Sequence, residues 1–241
     1  MGAAPGTITA MFDLQGYGPL IAEGVVMTIR LALGALVLGL LLGLAGAVAK
    51  LSPDPVARAI GGVYTTVMRG IPEFLVVMII YFGSSGVLTA VAGWFGHDEF
   101  VELSPYVAGV IALGVAFGAY ATEVFRGAIL AIPKGQIEAA RAFGMGPWLT
   151  FRRITLPQVW RVALPGLGNL FMVLLKDTSL VSVIGLNEIL RTAYIGGQAT
   201  KDSFTFYSVA LLIYLAMTWV ASRGQARIEK WAARGATVGR L

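Results

Sequence analysis

The 241-residue sequence contains no cysteine and only one histidine, His97. Without cysteine the chain forms no disulfide and offers no thiolate to a metal ion. A single histidine leaves little scope for zinc chemistry, and we interpret His97 as a surface residue of an external loop. Charged residues are also scarce, at 13%, whereas ordinary soluble domains carry roughly 25%.

The sequence is instead rich in apolar residues. Hydrophobic residues make up 57% of the sequence, and the mean hydropathy is +0.78. A soluble fold of this length would expose large apolar patches to water, so we predict an all-α membrane protein. The net charge of +5 is also compatible with a nucleic-acid partner. However, the basic residues cluster between apolar runs, which is typical of membrane topology.

Five apolar segments are long enough to cross about 30 Å of hydrocarbon as helices. We predict a break in the second span at Arg69–Glu73, because Pro72 interrupts helical hydrogen bonding, and an end at Gly83–Gly86. Residues 1–18 are interpreted as an external tail without the basic start of a signal peptide. The membrane domain is predicted over 19–222, with a cytoplasmic loop at 127–161 and a cytoplasmic tail at 223–241. The five predicted spans are 20–49, 59–83, 105–126, 164–186 and 204–222.

Basic residues are distributed unequally between the two sides of this five-span arrangement. Thirteen lie on one side, whereas the other side carries only Arg191 and Lys201. Lysine and arginine are enriched in cytoplasmic loops. The asymmetry therefore predicts an external N-terminus and a cytoplasmic C-terminus.

Small residues recur at four-residue spacing in two of the spans. Gly114 and Gly118 share one side of the third span, and the first span carries a longer run of the same kind. Small side chains let helix backbones approach closely in a membrane, so we interpret both faces as helix-packing surfaces. The run in the first span consists of Ala35, Gly39, Gly43 and Ala47.

The polar segment between the third and fourth spans predicts a short helix over 136–143. It follows the helix-breaking Pro133-Lys134-Gly135 sequence, and Gly144 stands where a helix is often ended by a glycine. A short, alanine-rich helix of this kind suits insertion into a groove on another protein. An ordinary amphipathic surface turn is the alternative.

The same segment resembles the EAA signature of ABC importer permeases. The matching residues are Glu138-Ala139-Ala140, Gly144, Ile154 and Leu156-Pro157, at the spacing of the signature. Further segments resemble the polar amino-acid branch of this family, and in particular the histidine/lysine/arginine/ornithine permeases. These segments are 64–72, 118–128, 132–136, 163–169 and 175–180.

The resemblance implies a type I ABC importer permease whose loop helix couples it to a cytoplasmic ATPase. The coupling residues implied are Glu138, Ala139, Ala140, Arg141 and Gly144. The implied partners are an ATPase dimer, a second permease subunit (homologous or identical) and a periplasmic binding protein for an amino acid, which we expect to be basic. ATP and magnesium would bind the ATPase, since this chain has no G-x-x-x-x-G-K-[ST] phosphate loop. We expect no cofactor in the chain itself and a location in the bacterial inner membrane.

Polar residues within the spans are the candidate substrate pathway, because charge inside a membrane is costly. Glu123 and Arg126 are three residues apart and can pair on one helix face, as a structural pair or as a substrate contact. Lys176 and Asp177 lie deepest, and each needs a partner on another helix or a wet cavity. The polar residues around them have two possible roles. They line a pathway or gate, or they form a polar cluster that packs helices together. The other candidate pathway residues are Tyr120, Asn169, Thr178 and Ser179.

Two other classes of function remain possible at this level. An autonomous secondary carrier or channel would account for the spans and the buried charges, but not for a complete EAA pattern. An intramembrane enzyme could use Glu123 or Asp177 as acid or base, but no nucleophile–base pair or metal-binding set supports it. The sequence identifies neither the amino acid nor whether the partner permease is identical.

Overall fold

The computed structural model describes residues 14–95 and 102–232, and within these ranges the regular structure is entirely helical. The described residues form nine α-helices, with a π-helical segment before α7 and a 3₁₀ helix after it. The α-helices are α1 (Gly18–Leu51), α2 (Pro55–Gly70), α3 (Glu73–Trp94), α4 (Pro105–Leu130), α5 (Lys134–Ala142), α6 (Pro147–Thr150), α7 (Leu156–Asp177), α8 (Ile189–Thr200) and α9 (Ser203–Ala232). The π segment is Phe151–Thr155 and the 3₁₀ helix is Thr178–Ile184.

Five helical stretches among the described residues are long and apolar enough to cross a membrane, as predicted. Most of their bounds exceed the predicted ones, because helices continue past the apolar window into polar surroundings. The last helix, for example, runs on to Ala232, so the start of the predicted tail at 223 is helical. The five stretches are Gly18–Leu51, Glu73–Trp94, Pro105–Leu130, Pro147–Ile184 and Ser203–Ala232.

The predicted second span, 59–83, is wrong in its bounds. The expected break is present: Ile71 is extended, with φ −105° and ψ 134°, directly before Pro72, as the residue preceding a proline prefers. The spanning helix starts only after this break, at Glu73. The predicted end at Gly83–Gly86 is also wrong, because the helix continues through it to Trp94. Ser84 fits the helix because its hydroxyl donates to the Tyr81 carbonyl, at 3.0 Å.

The predicted start of the fourth span at residue 164 is also too late. Helical backbone begins at Pro147 and continues to Ile184. Pro157 fits because the preceding segment is π-helical, with the Leu156 N–H bonded to the Phe151 carbonyl five residues back. Pro165 lies inside α7. Prolines are tolerated in membrane helices where neighbouring groups satisfy the freed carbonyls.

The chain divides into two compact units. Unit 1 contains the described residues up to Ala35, Pro72–Leu113 and Leu174–Trp219. Its core includes the fully buried Phe206, whose ring meets Tyr17 edge-on at a centroid distance of 5.7 Å. Unit 2 contains Leu36–Ile71, Gly114–Val173 and the described residues from Val220.

The small residues of α1 and α4 meet in unit 2, which confirms their interpretation as packing faces. A Cβ atom at Gly43 would lie 2.6 Å from the Ala121 Cβ atom. A Cβ atom at Gly118 would lie 2.6 Å from the Tyr64 hydroxyl and 2.8 Å from the Leu42 Cβ atom. The Tyr64 hydroxyl is itself fixed by a 2.7 Å hydrogen bond to the Val115 carbonyl. Backbone contact between these helices therefore requires glycine.

We predict that Gly118→Ala destabilises the protein by about 1–3 kcal/mol, the usual cost of overpacking. Gly127→Ala is the matched control, since it lies in the same helix and an added Cβ atom there has nothing within 4 Å. The amount of folded protein in detergent extracts and its thermal unfolding should fall only for the variant at 118. Equal stability of the two variants would contradict the packing argument.

Candidate coupling site and polar pathway

The short helix between the third and fourth spans is present as α5. It starts two residues earlier than predicted, at Lys134, because the extended Pro133 serves as the N-cap and Lys134 and Gly135 are already helical. It ends with Ala142, and Phe143 is the C-cap residue. The helix thus has nine residues, fewer than an isolated helix needs for stability in water. Its helical conformation therefore depends on contacts with the rest of the protein.

Gly144 ends this helix in the left-handed conformation, with φ +78°. The Gly144 N–H donates to the Arg141 carbonyl at 2.9 Å, and the Met145 N–H to the Ala140 carbonyl at 3.0 Å. These two bonds form a Schellman motif, which satisfies carbonyls at the end of the helix and normally requires glycine at this position. The predicted C-cap role of Gly144 is confirmed.

The predicted coupling residues divide into one anchor and an exposed face. Ala140 is buried, whereas Glu138, Ala139 and Arg141 are exposed, as is Gly144. A buried alanine holds the helix against its own chain and leaves the remaining residues available to a partner. The arrangement suits a helix presented to another protein.

Exposed aromatic residues next to α5 were not singled out by the sequence. Phe143 is 87% exposed and Trp148 is 71% exposed. The Trp148 ring stacks on Phe151, with centroids 5.8 Å apart. Large aromatic side chains are favoured at the centres of protein interfaces. They extend the apolar part of the surface that α5 presents.

A side-chain pair ties α5 to the start of α7. The Gln158 Nε2 atom donates to Gln136 Oε1 at 2.6 Å and to the Ile154 carbonyl at 2.9 Å. A direct hydrogen bond therefore connects α5 to α7.

Glu123 is held by two cations in unit 2. Its Oε2 atom accepts from Arg126 Nε at 2.9 Å, so the predicted pair is present, and its Oε1 atom accepts from Lys50 Nζ. Lys50 also donates to Thr65 Oγ1, at 2.9 Å. The cluster joins the end of α1, the middle of α2 and α4. Because both carboxylate oxygens are occupied, the geometry favours a structural role for Glu123.

The other two pathway candidates of unit 2 are Tyr120 and Asn169. Tyr120 lies under a cation, with the Arg69 guanidinium 5.4 Å from the centroid of its ring. Asn169 is exposed on α7.

Lys176 and Asp177 lie at the end of α7, in unit 1. Lys176 is exposed, and Asp177 is partly buried. The Asp177 carboxyl interacts electrostatically with Glu73, at the start of α3, as well as with Lys176. Glu73 was not among the predicted pathway residues.

The following Thr178 and Ser179 satisfy their hydroxyls locally. Thr178 donates to the Leu175 carbonyl and Ser179 to the Lys176 carbonyl, each at 2.7 Å. Thr178 is fully buried, and its hydroxyl lies 3.5 Å from that of Tyr214. Thr178 therefore belongs to the interior of unit 1, whereas Ser179 lies closer to its surface.

Unit 1 contains a buried carboxylate, Glu188, that was not among the residues predicted from the sequence. This side chain is fully buried and caps α8, accepting from the Leu190 N–H at 2.9 Å and the Arg191 N–H at 2.7 Å. The Tyr214 hydroxyl donates a third hydrogen bond, at 2.8 Å. Burial raises the pKa of Glu188, and these three donors oppose the shift. An acidic residue before a helix of twelve residues was the available sequence signal.

Within 14–95 and 102–232, no cluster of three or more histidine, cysteine or acidic residues could hold a metal ion. The prediction for His97 lies outside the described residues.

Residues 35–234 match the family described as "Binding-protein-dependent transport system inner membrane component". The nopaline transport system permease protein NocQ of Agrobacterium fabrum is 49% identical over 221 residues, or 91% of this chain and 94% of that protein. The histidine/lysine/arginine/ornithine permease HisQ of Salmonella typhimurium is 44% identical, over 87% of this chain and 91% of its own length.

A solved structure supports the same assignment. The crystal structure of an amino acid ABC transporter with histidines contains a chain that is 32% identical, with a TM-score of 0.77, and the match covers 95% of this chain and 99% of that one. The family match spans most of the sequence, and the five described helices that are long and apolar enough to cross a membrane agree with it. The chain therefore belongs to the binding-protein-dependent inner-membrane transport components and is a multi-pass permease subunit of an amino-acid ABC importer.

Proposed function

We propose that this permease imports a basic amino acid that a periplasmic binding protein delivers, and that a partner ATPase supplies the energy. The choice of a basic solute rests on relatives of this chain, and the acidic side chains Asp177 and Glu73 of unit 1 are the candidate contacts of its charge. Relatives named for histidine, lysine, arginine and ornithine, and for arginine, support it. ATP and magnesium would act in the ATPase, which docks on the exposed face of α5.

We further propose that α7 faces a second permease subunit across the pathway. Asn169 and Lys176 are seven residues apart, so they lie on the same side of the helix, and both are exposed. An ionised lysine in a span avoids lipid and faces protein or a water-filled cavity. A homologous or an identical subunit would complete the cavity.

We predict that Asp177→Asn and Glu73→Gln each lower the uptake of arginine at least tenfold, a loss of about 1.4 kcal/mol of binding or transition-state free energy. The reconstituted assembly of permeases, ATPase and binding protein should retain its ATP hydrolysis. Uptake of radiolabelled arginine into proteoliposomes is the measurement. Asn187→Ala, an exposed residue elsewhere in unit 1, is the control. Normal arginine uptake by both carboxyl variants would exclude Asp177 and Glu73 as contacts of the solute.

We propose an external N-terminus and a cytoplasmic C-terminus, because the basic residues are distributed unequally between the two sides. Because the chain has no native cysteine, the maleimide can react only with the cysteine that is introduced. Cysteine replacing Ser203, at the start of α9, should react with an impermeant maleimide in intact spheroplasts. Cysteine replacing Ser222 or Thr237 should react only after permeabilisation. The reverse labelling pattern would invert the topology.

A further inference from the structure

A cavity between α7 and α9 in unit 2 is not accounted for by coupling or by the pathway. Its volume is about 360 Å³. Two indole rings contribute to its lining, with Trp160 42% exposed and Trp231 65% exposed. Arg161 adds a guanidinium group to the same lining. The remaining lining residues are Pro157 and Ala232.

The length of α9 places this cavity at the depth of lipid headgroups. The helix has 30 residues, or about 45 Å at 1.5 Å per residue. A bilayer with its headgroup layers is about 40–45 Å thick. Residues 203–222, the apolar part of the helix, are long enough to cross the hydrocarbon core of about 30 Å. The basic end of the helix, with Trp231 in its last turn, therefore extends past the hydrocarbon on the headgroup side. Tryptophan is enriched at this depth, where one part of the ring meets hydrocarbon and the N–H meets water.

The charge around the cavity has one predominant sign. Residues 151–162 and 222–232 carry six basic side chains, all exposed, and one acidic side chain, Glu229. The Glu229 carboxylate already accepts a hydrogen bond from Gln225, at 2.7 Å. Arg227 precedes Trp231 by four residues and so lies on the same side of α9. The six basic residues are Arg152, Arg153, Arg161, Arg223, Arg227 and Lys230.

We propose that this cavity binds the headgroup of an anionic phospholipid from the cytoplasmic leaflet. Arg161 contacts the phosphodiester, and the two indole rings hold the glycerol and the upper acyl chain. Basic residues next to membrane helices attract anionic lipids in this way. The inference goes beyond the transport function but rests on the proposed orientation, which puts Trp231 on the cytoplasmic side.

The site is adjacent to the coupling machinery. Gln158, which bonds to Gln136 of α5, lies between the cavity residues Pro157 and Trp160. A bound headgroup would therefore restrain the start of α7 and, through Gln158, the coupling helix. We expect anionic lipid to raise ATP-driven uptake as well as to bind.

The test uses the assembled transporter in nanodiscs of phosphatidylcholine with or without phosphatidylglycerol. Native mass spectrometry should show phosphatidylglycerol retained on the wild type, and Arg161→Gln should lower this retention about fivefold, the equivalent of one lost basic contact. Trp231→Ala, at the end of the last helix, should have the same effect, and it serves as the readout if the Arg161 variant fails to assemble. Lys201→Gln, which removes an exposed charge elsewhere, should retain the lipid.

Uptake separates the possible sources of the phosphate. In phosphatidylcholine alone, uptake should be low, and neither glycerol phosphate nor inorganic phosphate should restore it. Restoration by either soluble anion would overturn the lipid assignment, as would a cross-link from position 231 to the ATPase. Unchanged lipid retention in both variants, with cysteine at 237 still labelled only after permeabilisation, would overturn the lipid site alone. External labelling of that cysteine would overturn both the site and the orientation.

Discussion

Gly144→Val is expected to abolish uptake while the protein still reaches the membrane at near-normal levels. Gly144 has φ +78°, and an added Cβ atom would meet nothing within 4 Å. The substitution therefore causes no collision, and its cost is the backbone strain of a left-handed residue, roughly 1–2 kcal/mol. A five-span bundle tolerates that loss. The strain is relieved by opening the Schellman motif, which changes the direction in which α5 and Phe143 face the proposed ATPase partner.

Glu138→Lys should produce the same phenotype by another route. Glu138 is exposed, so reversing its charge leaves the fold intact and alters only the surface that a partner meets. Co-purification of the ATPase and uptake in proteoliposomes measure both effects. Binding of the ATPase should weaken by at least tenfold in each variant, which corresponds to about 1.4 kcal/mol.

Gly146→Val provides the matched control for the glycine. It lies two residues away in the same exposed loop, and an added Cβ atom again meets nothing within 4 Å. Its φ of −65° suits any L-residue. Normal uptake by the Gly146 variant and none by the Gly144 variant would assign the defect to the left-handed backbone. Wild-type import by both Gly144→Val and Glu138→Lys would refute the assignment of α5 as the coupling helix.

The second large effect is expected for Glu188→Ala, which should lower the free energy of unfolding of the permease by about 3 kcal/mol. The loss combines a removed helix cap, about 0.5–2 kcal/mol, with buried donors left without an acceptor, about 1–3 kcal/mol. Those donors are the N–H groups of Leu190 and Arg191 and the Tyr214 hydroxyl. The unfolding temperature of the purified subunit should fall by about 6–12 °C.

Two further variants separate the cap from the rest of the network. Glu188→Gln keeps one acceptor oxygen and should lose less stability than the alanine variant. Tyr214→Phe removes only the third donor and should cost about 1 kcal/mol. The neighbouring Asn187→Ala is the control, because Asn187 is exposed. If Glu188→Ala unfolds at the same temperature as this control, the carboxylate does not stabilise unit 1.

Local patterns predicted the parts of the structure that depend on neighbouring residues. Gly144 was predictable because a glycine after a short helix has one common conformation, and the Glu123–Arg126 pair because residues three apart share a helix face. Lys50 could not be assigned to Glu123, since 73 residues separate them and their contact depends on how the helices pack. Glu73 and Asp177, which are far apart in the sequence, belong to the same compact unit only through tertiary structure.

Helix boundaries were harder to predict because membrane helices do not stop where apolar residues stop. The windows 59–83 and 73–94 are both apolar, and the break at Ile71–Pro72 decides between them. Gly83–Gly86 has the composition of a turn, yet in the helix Ser84 satisfies its own hydroxyl. The α8 helix was missed since its strongest start signal, a buried glutamate cap, is less common than a serine or aspartate.

The helical backbone of residues 147–173, all within unit 2, has a mechanical consequence. Its 27 residues are about 40 Å long at 1.5 Å per residue. A tilt of about 5° at the end next to α5 would displace the other end of this stretch by about 3.5 Å. Pro165 and the π-helical segment are the places where the stretch can flex. Stiffening either place would alter how much of a small movement at α5 reaches the other end.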